Sequence, residues 1–134
     1  MTAGVADRRR ISSGGPWEAA VGYSRAIADG EWCWVSGTTD AGPGGISANP
    51  GDAAAQARAA WAIVERALAD AGFSLADVVR TRTYVVSLDD AEAVGAVHGD
   101  LFGDVRPAAT LVQVAGLIHP SLLVEVEAEA RRRP

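Results

Sequence analysis

Val124-Glu125-Val126-Glu127-Ala128-Glu129-Ala130 is the stretch that decides how this chain folds. Successive side chains of a β-strand point to opposite faces, so a period of two sorts a segment into two surfaces. Val124, Val126, Ala128 and Ala130 form an apolar surface here, and Glu125, Glu127 and Glu129 an acidic one. The run Val78–Ser87, rich in Val, Thr and Tyr, reads as a second strand. Arg80, Arg82 and Tyr84 share one of its faces; Val79, Thr81, Thr83 and Val85 share the other. If the two strands are neighbours, the carboxylates meet two guanidiniums, whose planar forks suit partly buried pairing. Arg82 is then expected to pair with Glu127 or Glu125, in the same or a neighbouring subunit. A solvated acidic face is the competing reading of the same pattern.

Working outward, the short β-rich runs Val21–Ile27 and Trp32–Ser36 flank a turn that holds Asp29-Gly30, a hairpin signal. Residues 40–51 hold four Gly and two Pro and form a loop long enough to be functional. Asp52 can cap a helix over residues 53–71. Ala59, Ala60, Ile63, Val64, Ala67, Leu68 and Ala71 recur on it at helical spacing, and Gly72 stands where a left-handed cap belongs. Asp89 or Asp90 opens a second helix that runs through Val94 and Val97 to Gly103. The last two strands are Ala108–Ala115 and Leu122–Ala130, and a further short strand is expected near Arg10–Ser13. Residues 1–9 read as a flexible tail. No repeat or linker divides the chain, so residues 1–134 are expected to form one α+β domain, ordered β-β-α-β-α-β-β. Two helices cover only one face of a sheet, and another copy of the chain is the expected cover for the second face.

The composition fits that picture. Hydrophobic residues make up 49% of the chain but aromatics only 6%, so the core is built of small side chains that bury little area each. Subunit contacts are expected to supply part of the missing burial. A net charge of −5 argues against a nucleic-acid partner, and the only basic runs are residues 8–10 and 131–133. The chain has no Lys, which removes Schiff-base catalysis and Lys-dependent phosphate loops. Cys33 stands alone, so no intrachain disulfide can form. Residues 1–10 lack an apolar signal core, and no apolar run approaches the ~18–20 residues that span a bilayer. The expectation is a cytoplasmic protein with no membrane partner.

Other chemistries find little footing. Two His, one Cys and no His-rich motif leave no zinc ligand set, so no metal is expected. Ser12-Ser13-Gly14-Gly15 lacks the strand–helix context of a nucleophile elbow. Gly42–Gly45 is followed by no Lys and lacks phosphate-loop spacing. Trp61 falls inside the first helix and reads as core, Trp32 and Trp34 share a strand face, and Trp17 lies near Tyr23, where it could wall a pocket.

Five segments in register resemble the RidA (YjgF/UK-type) family. They are Val35-Ser36-Gly37; Gly51-Asp52 with Ala55-Gln56; residues 71–79 (AGFSLADVV); Arg106-Pro107-Ala108; and Val124-Glu125-Val126-Glu127-Ala128. The resemblance covers roughly residues 10–131. It implies a chorismate-mutase-like fold: a mixed sheet with two helices on one face, closed as a homotrimeric barrel with ligand pockets between subunits. It also implies hydrolysis of reactive enamines and imines, released by pyridoxal-phosphate enzymes, to keto acid and ammonia without a cofactor.

Carried over position by position, the resemblance assigns Tyr23 to the pocket and makes backbone groups of Ser36 and Gly37 available to a ligand. Glu125 becomes the group that positions water, and Leu111, where the active deaminases usually have Cys, supplies a carbonyl that helps hold it. Two positions depart: Gly95 stands where the family has Asn, and Ala109 where it has the Arg that clamps a substrate carboxylate. Losing one partner of a desolvated ion pair commonly costs about 3–5 kcal/mol, so an amino-acid-derived imine should bind roughly a thousandfold more weakly unless another cation substitutes. Arg106 and His98 are the candidates. The expected activity is hydrolysis, or related proton transfer, on a small imine, enamine or carbonyl compound that lacks the usual α-carboxylate. Glu125 would be its general base, with a pKa pushed up by burial and Glu127 and down by Arg82. The rivals are a non-catalytic metabolite-binding or regulatory trimer and, third, an endoribonuclease-like or chaperone-like activity.

Overall fold

The alternation at the end of the chain places the last strand in the middle of the sheet. The computed structural model describes residues 8–133. Its strands are β1 (Arg9–Ile11), β2 (Ala26–Asp29), β3 (Trp32–Thr38), β4 (Val78–Val85), β5 (Ala108–Gln113) and β6 (Val124–Arg131). The helices are α1 (Ala53–Asp70), between β3 and β4, and α2 (Ala91–Phe102), between β4 and β5. The six strands run in the order β1-β2-β3-β6-β4-β5. β6 is antiparallel to both neighbours. Only β4 and β5 are parallel, joined by the α2 crossover.

The apolar set of β6 is buried: Val124, Val126, Ala128 and Ala130 are at most 2% exposed. Ala26, Ala28, Cys33 and Val35 of the β2–β3 hairpin join it. α1 lays Ala57, Ala60, Trp61, Val64, Ala67 and Leu68 onto this surface. The Asp52 carboxylate accepts the Ala55 N–H at 3.0 Å and caps the helix start, and beyond its end Gly72 takes φ +84°, a conformation that suits glycine. Gln56, wholly buried, donates to the carbonyls of Asn49 and Ser121 and accepts the Leu123 N–H at 2.8 Å. It thereby ties the glycine-rich loop and the segment before β6 to α1.

Four expectations change. The strand expected over Val21–Ile27 starts at Ala26, because Glu18–Gly22 forms a π-helical turn. Glu18 holds that turn: its carboxylate accepts the Ser13 N–H and hydroxyl. Arg8 and Arg9 are not tail residues, since Arg8 pairs with Asp29 at 2.9 Å and Arg9 begins β1, while residues 1–7 of the expected tail lie outside the described residues. Val79 is displaced by an irregularity in β4, so Val78 takes the buried position and Val79 is exposed. Arg82 lies opposite Glu127 in register and pairs with it at 3.9 Å as expected, but its shorter bond reaches diagonally to Glu129 at 2.9 Å, and Glu125 is not a partner. The reason is that the Tyr84 hydroxyl donates to Glu127.

Two of the three ladder glutamates, Glu127 and Glu129, are therefore paired across to β4, on the face without helices. The ion pair is about a third exposed, and a pair so open to solvent contributes little to stability. Asp52→Ala is expected to lower stability by about 1 kcal/mol, seen as a reduced thermal midpoint with unchanged secondary structure.

Candidate functional site

A bulge in β3 builds the site. Between Val35 and Thr38 the pairing with β6 gains an extra residue, so Ser36-Gly37 swings out of the regular ladder and Thr38 returns to the buried face. Bulges commonly re-aim groups beside active sites. The Glu125 carboxylate lies against the Cα of Gly37, and a Cβ there would run into Oε2. No residue but glycine leaves that space. Burial raises the Glu125 pKa above the usual carboxylate range; Glu127 adds to the rise and Arg25 opposes it. Burial and Glu127 act as expected, but the opposing cation is Arg25 rather than Arg82.

Arg25 is the member of this candidate site that sequence reasoning missed. It precedes β2, only 9% exposed, and its Nη1 donates to the Gly37 carbonyl and the Thr38 hydroxyl, both at 2.7 Å. Its Nη2 donates to the Tyr23 hydroxyl at 3.3 Å. Tyr23, Arg25, Gly37 and Glu125 thus form one cluster. Ser36 is adjacent, but its N–H donates to the Arg25 carbonyl and its hydroxyl to the Ser24 carbonyl. The Ser36 N–H expected to serve a ligand is therefore used within the chain, and the Gly37 carbonyl already accepts from Arg25. Trp17 is exposed beside the turn that leads to Tyr23. On the same sheet face Trp32 and Trp34 stack with centroids 5.9 Å apart.

The remaining expected site residues lie elsewhere. Thr83, Val94, Gly95, His98, Ala109, Thr110 and Leu111 line a cavity of about 250 Å³ between α2 and the β4–β5 pair. Ala109 and Leu111 stand opposite Thr81 and Thr83, both buried under the helices, so this cavity opens on the helix-covered side of the sheet. Glu125, opposite Tyr84, is on the other side. Within one chain the two halves of the expected pocket do not meet.

Neither expected replacement for the missing Arg serves at this cavity as a cation aimed inward. His98 is packed against Trp61 and Phe102 and hydrogen-bonded to Thr81 Oγ1 at 2.8 Å, and burial lowers its pKa. Burial thus favours its neutral form. Arg106 is exposed, and its backbone is left-handed at φ +53°, where its N–H closes the end of α2 on the Phe102 carbonyl. Cys33 is fully buried, and burial pushes its thiol up to about 11, so it is no nucleophile at neutral pH. No helix among the described residues is long and apolar enough to cross a membrane.

The architecture is that of an α+β, chorismate-mutase-like protein, and comparison with known proteins agrees. The profile of the Endoribonuclease L-PSP family matches residues 16–132. A crystal structure of Rv2704 from Mycobacterium tuberculosis, a member of the YjgF/YER057c/UK114 family, is 48% identical and superposes with a TM-score of 0.84, covering 92% of this chain and 98% of that one. An uncharacterized Streptomyces coelicolor protein, SCO2049, is 41% identical over 92% of each chain. A 2-iminobutanoate/2-iminopropanoate deaminase from Capra hircus is 31% identical over 94% of this chain and 92% of its own. The chain belongs to the RidA (YjgF/UK-type) family, described by the Endoribonuclease L-PSP profile.

Gly37→Ala is expected to push the flexible end of the Glu125 side chain out of the notch, seen as a changed Glu125 carboxyl chemical shift with little change in the unfolding midpoint. A carboxyl whose pKa rises on folding holds its proton more tightly in the folded chain. It contributes stability below its unfolded pKa of about 4.3 that is lost as pH rises through the folded value. Glu125→Gln should therefore melt above the wild type at pH 7, with the difference shrinking toward pH 4.

Proposed function

We propose that the chain is an imine/enamine deaminase-like hydrolase that acts as a homotrimer, with Glu125 activating water. The observation that carries this reading is the Glu125 carboxylate in the Gly37 notch, shielded enough for burial to raise its pKa. A general base works best with a pKa near the operating pH, and an upward shift moves a carboxylate toward it. In the reaction, water attacks the imine carbon as its proton passes to Glu125. The proton then returns to the nitrogen to give a carbinolamine, Glu125 passes the carbinolamine's hydroxyl proton to the amino group, and the carbon–nitrogen bond breaks to leave a carbonyl product and ammonia. Tyr23, a half-exposed phenol beside Arg25, is placed to hydrogen-bond the substrate or the water.

The trimer completes the site. Glu125 and Tyr23 lie on one side of the sheet, and Gly95, His98, Ala109 and Leu111 on the other. A second copy laid edge to face brings its α2–β5 side against the first copy's Glu125 side. The deaminase name of the goat relative supports the reaction class.

A non-catalytic metabolite-binding trimer is the second reading, favoured by Ala109 and by the burial of His98, which disfavour a positive charge on the α2–β5 side. Hydrolysis of imines and enamines generated in situ, followed by loss of the trapped species, separates the two. The expected result is turnover that falls by about 10²–10⁴-fold in Glu125→Gln. Equal rates with and without Glu125 would remove the hydrolase. Light scattering should give three times the chain mass of 13.8 kDa, and a monomer at micromolar concentration would remove the composite pocket.

A further inference from the structure

Arg25 carries a feature that its structural bonds do not use up. A guanidinium has five N–H donors, and the contacts to Gly37, Thr38 and Tyr23 employ three. No carboxylate oxygen of the described residues lies within 4 Å of it, although it is nine-tenths buried. A cation held this far from water without a direct counter-charge is costly, and a fixed one attracts an anion.

Two carboxylates extend their charge to Arg25 without bonding to it. Glu18 is bound to the Ser13 N–H and hydroxyl, and these bonds, with Ser12 and Arg25, hold its pKa below the usual range against burial. Glu125 is seated against Gly37. Among the other cations of the open face, Arg82 is bonded to Glu129, Arg80 to the Thr110 hydroxyl and Arg131 to Glu31, while Arg10 on the border strand β1 is exposed to solvent. Nη2 of Arg25, by contrast, faces the Tyr23 phenol, which is 36% exposed, so its remaining N–H edge lies beside the open side of the cluster.

We propose that Arg25 is the specificity-determining residue of this pocket, taking the carboxylate of a small 2-oxo or 2-imino acid in place of the cation absent at Ala109. The inference rests on the reading of the Glu125 face as the ligand side of the site. The ligand carboxylate accepts from Nη2 and the Tyr23 hydroxyl, and its reacting carbon then lies toward Glu125. The anion clamp thereby moves from the α2–β5 side to the Glu125 side of the pocket. A ligand that fits has its charged group and its water-activating residue on the same wall. Holding Arg25 by two bonds to the bulge fixes the fork, which is what a charge-assisted pair needs for strength.

The test measures binding of pyruvate and of its uncharged amide to the full chain by calorimetry, which needs no turnover and so stands apart from the hydrolase reading. The wild type is expected to prefer pyruvate by about tenfold or more, consistent with one charge-assisted pair. Arg25→Gln should abolish that preference, and Arg106→Ala should leave it intact. Equal affinity for acid and amide in the wild type, or a preference that survives Arg25→Gln, overturns the proposal. Should Arg25→Gln fail to fold, the side-chain ¹⁵N resonances of Arg25 in the wild type decide. They must shift on adding pyruvate and stay still with the amide, and unmoved resonances with pyruvate overturn it. Absent hydrolysis with the acid preference retained would remove the enzyme reading alone.

Discussion

A strand paired on both edges has no freedom to turn its side chains away, and β6 is such a strand. Its valines and alanines must face the helices, so its three glutamates must all face the same open side. Three like charges at two-residue spacing repel unless each finds a donor. The neighbouring strand β4 provides donors for two. Tyr84 donates to Glu127, which raises the Tyr84 pKa, and Arg82 bonds Glu129, which raises its own. The ladder's donors are then spent, and Glu125 is left with a glycine notch and a more distant guanidinium. The perturbed carboxylate follows from the order in which the strand's partners run out.

The same constraint explains why the bulge falls where it does. A regular β3 would put a side chain over the end of β6, where the Glu125 carboxylate sits. The extra residue at Ser36-Gly37 removes that side chain and turns Thr38 inward, where its hydroxyl accepts from Arg25. Backbone irregularity, glycine and buried arginine are thus one device with three parts. Across the sheet, the cavity under α2 is lined by no carboxylate or guanidinium, and burial lowers the pKa of His98 there.

Much of the fold was legible because it follows from periodicity. The two-residue alternation of β6 and β4 identified the paired faces, and Asp52 and Gly72 marked α1 to within a residue. Periodicity reports which face a side chain takes but not how far it reaches, so the diagonal from Arg82 to Glu129 was not visible. Arg25 gave no periodic signal, lying in a short stretch between a helical turn and a strand. Register could have found it. The hairpin at Asp29-Gly30 pairs Asp29 with Trp32, and counting outward through Ala26 and Val35 sets Arg25 against Ser36, beside the glycine that Glu125 requires. That pocket residues fall on opposite sides of the sheet was not legible either, because strand order decides it and strand order is not local.

The two borders of the sheet are treated very differently. β1 is three residues long and begins with two arginines, short and charged as solvent-facing borders usually are. β5 is six residues of Ala, Thr, Leu, Val and Gln, with a proline before it and no charge within it. One of its sides hydrogen-bonds to β4, and the other presents a row of unused backbone donors and acceptors. A lone copy in dilute solution would carry that row uncovered, as a template on which a foreign strand could add. The chain's vulnerability to aggregation is thus concentrated along a single line of backbone, and whatever covers that line protects the protein's solubility as well as its shape.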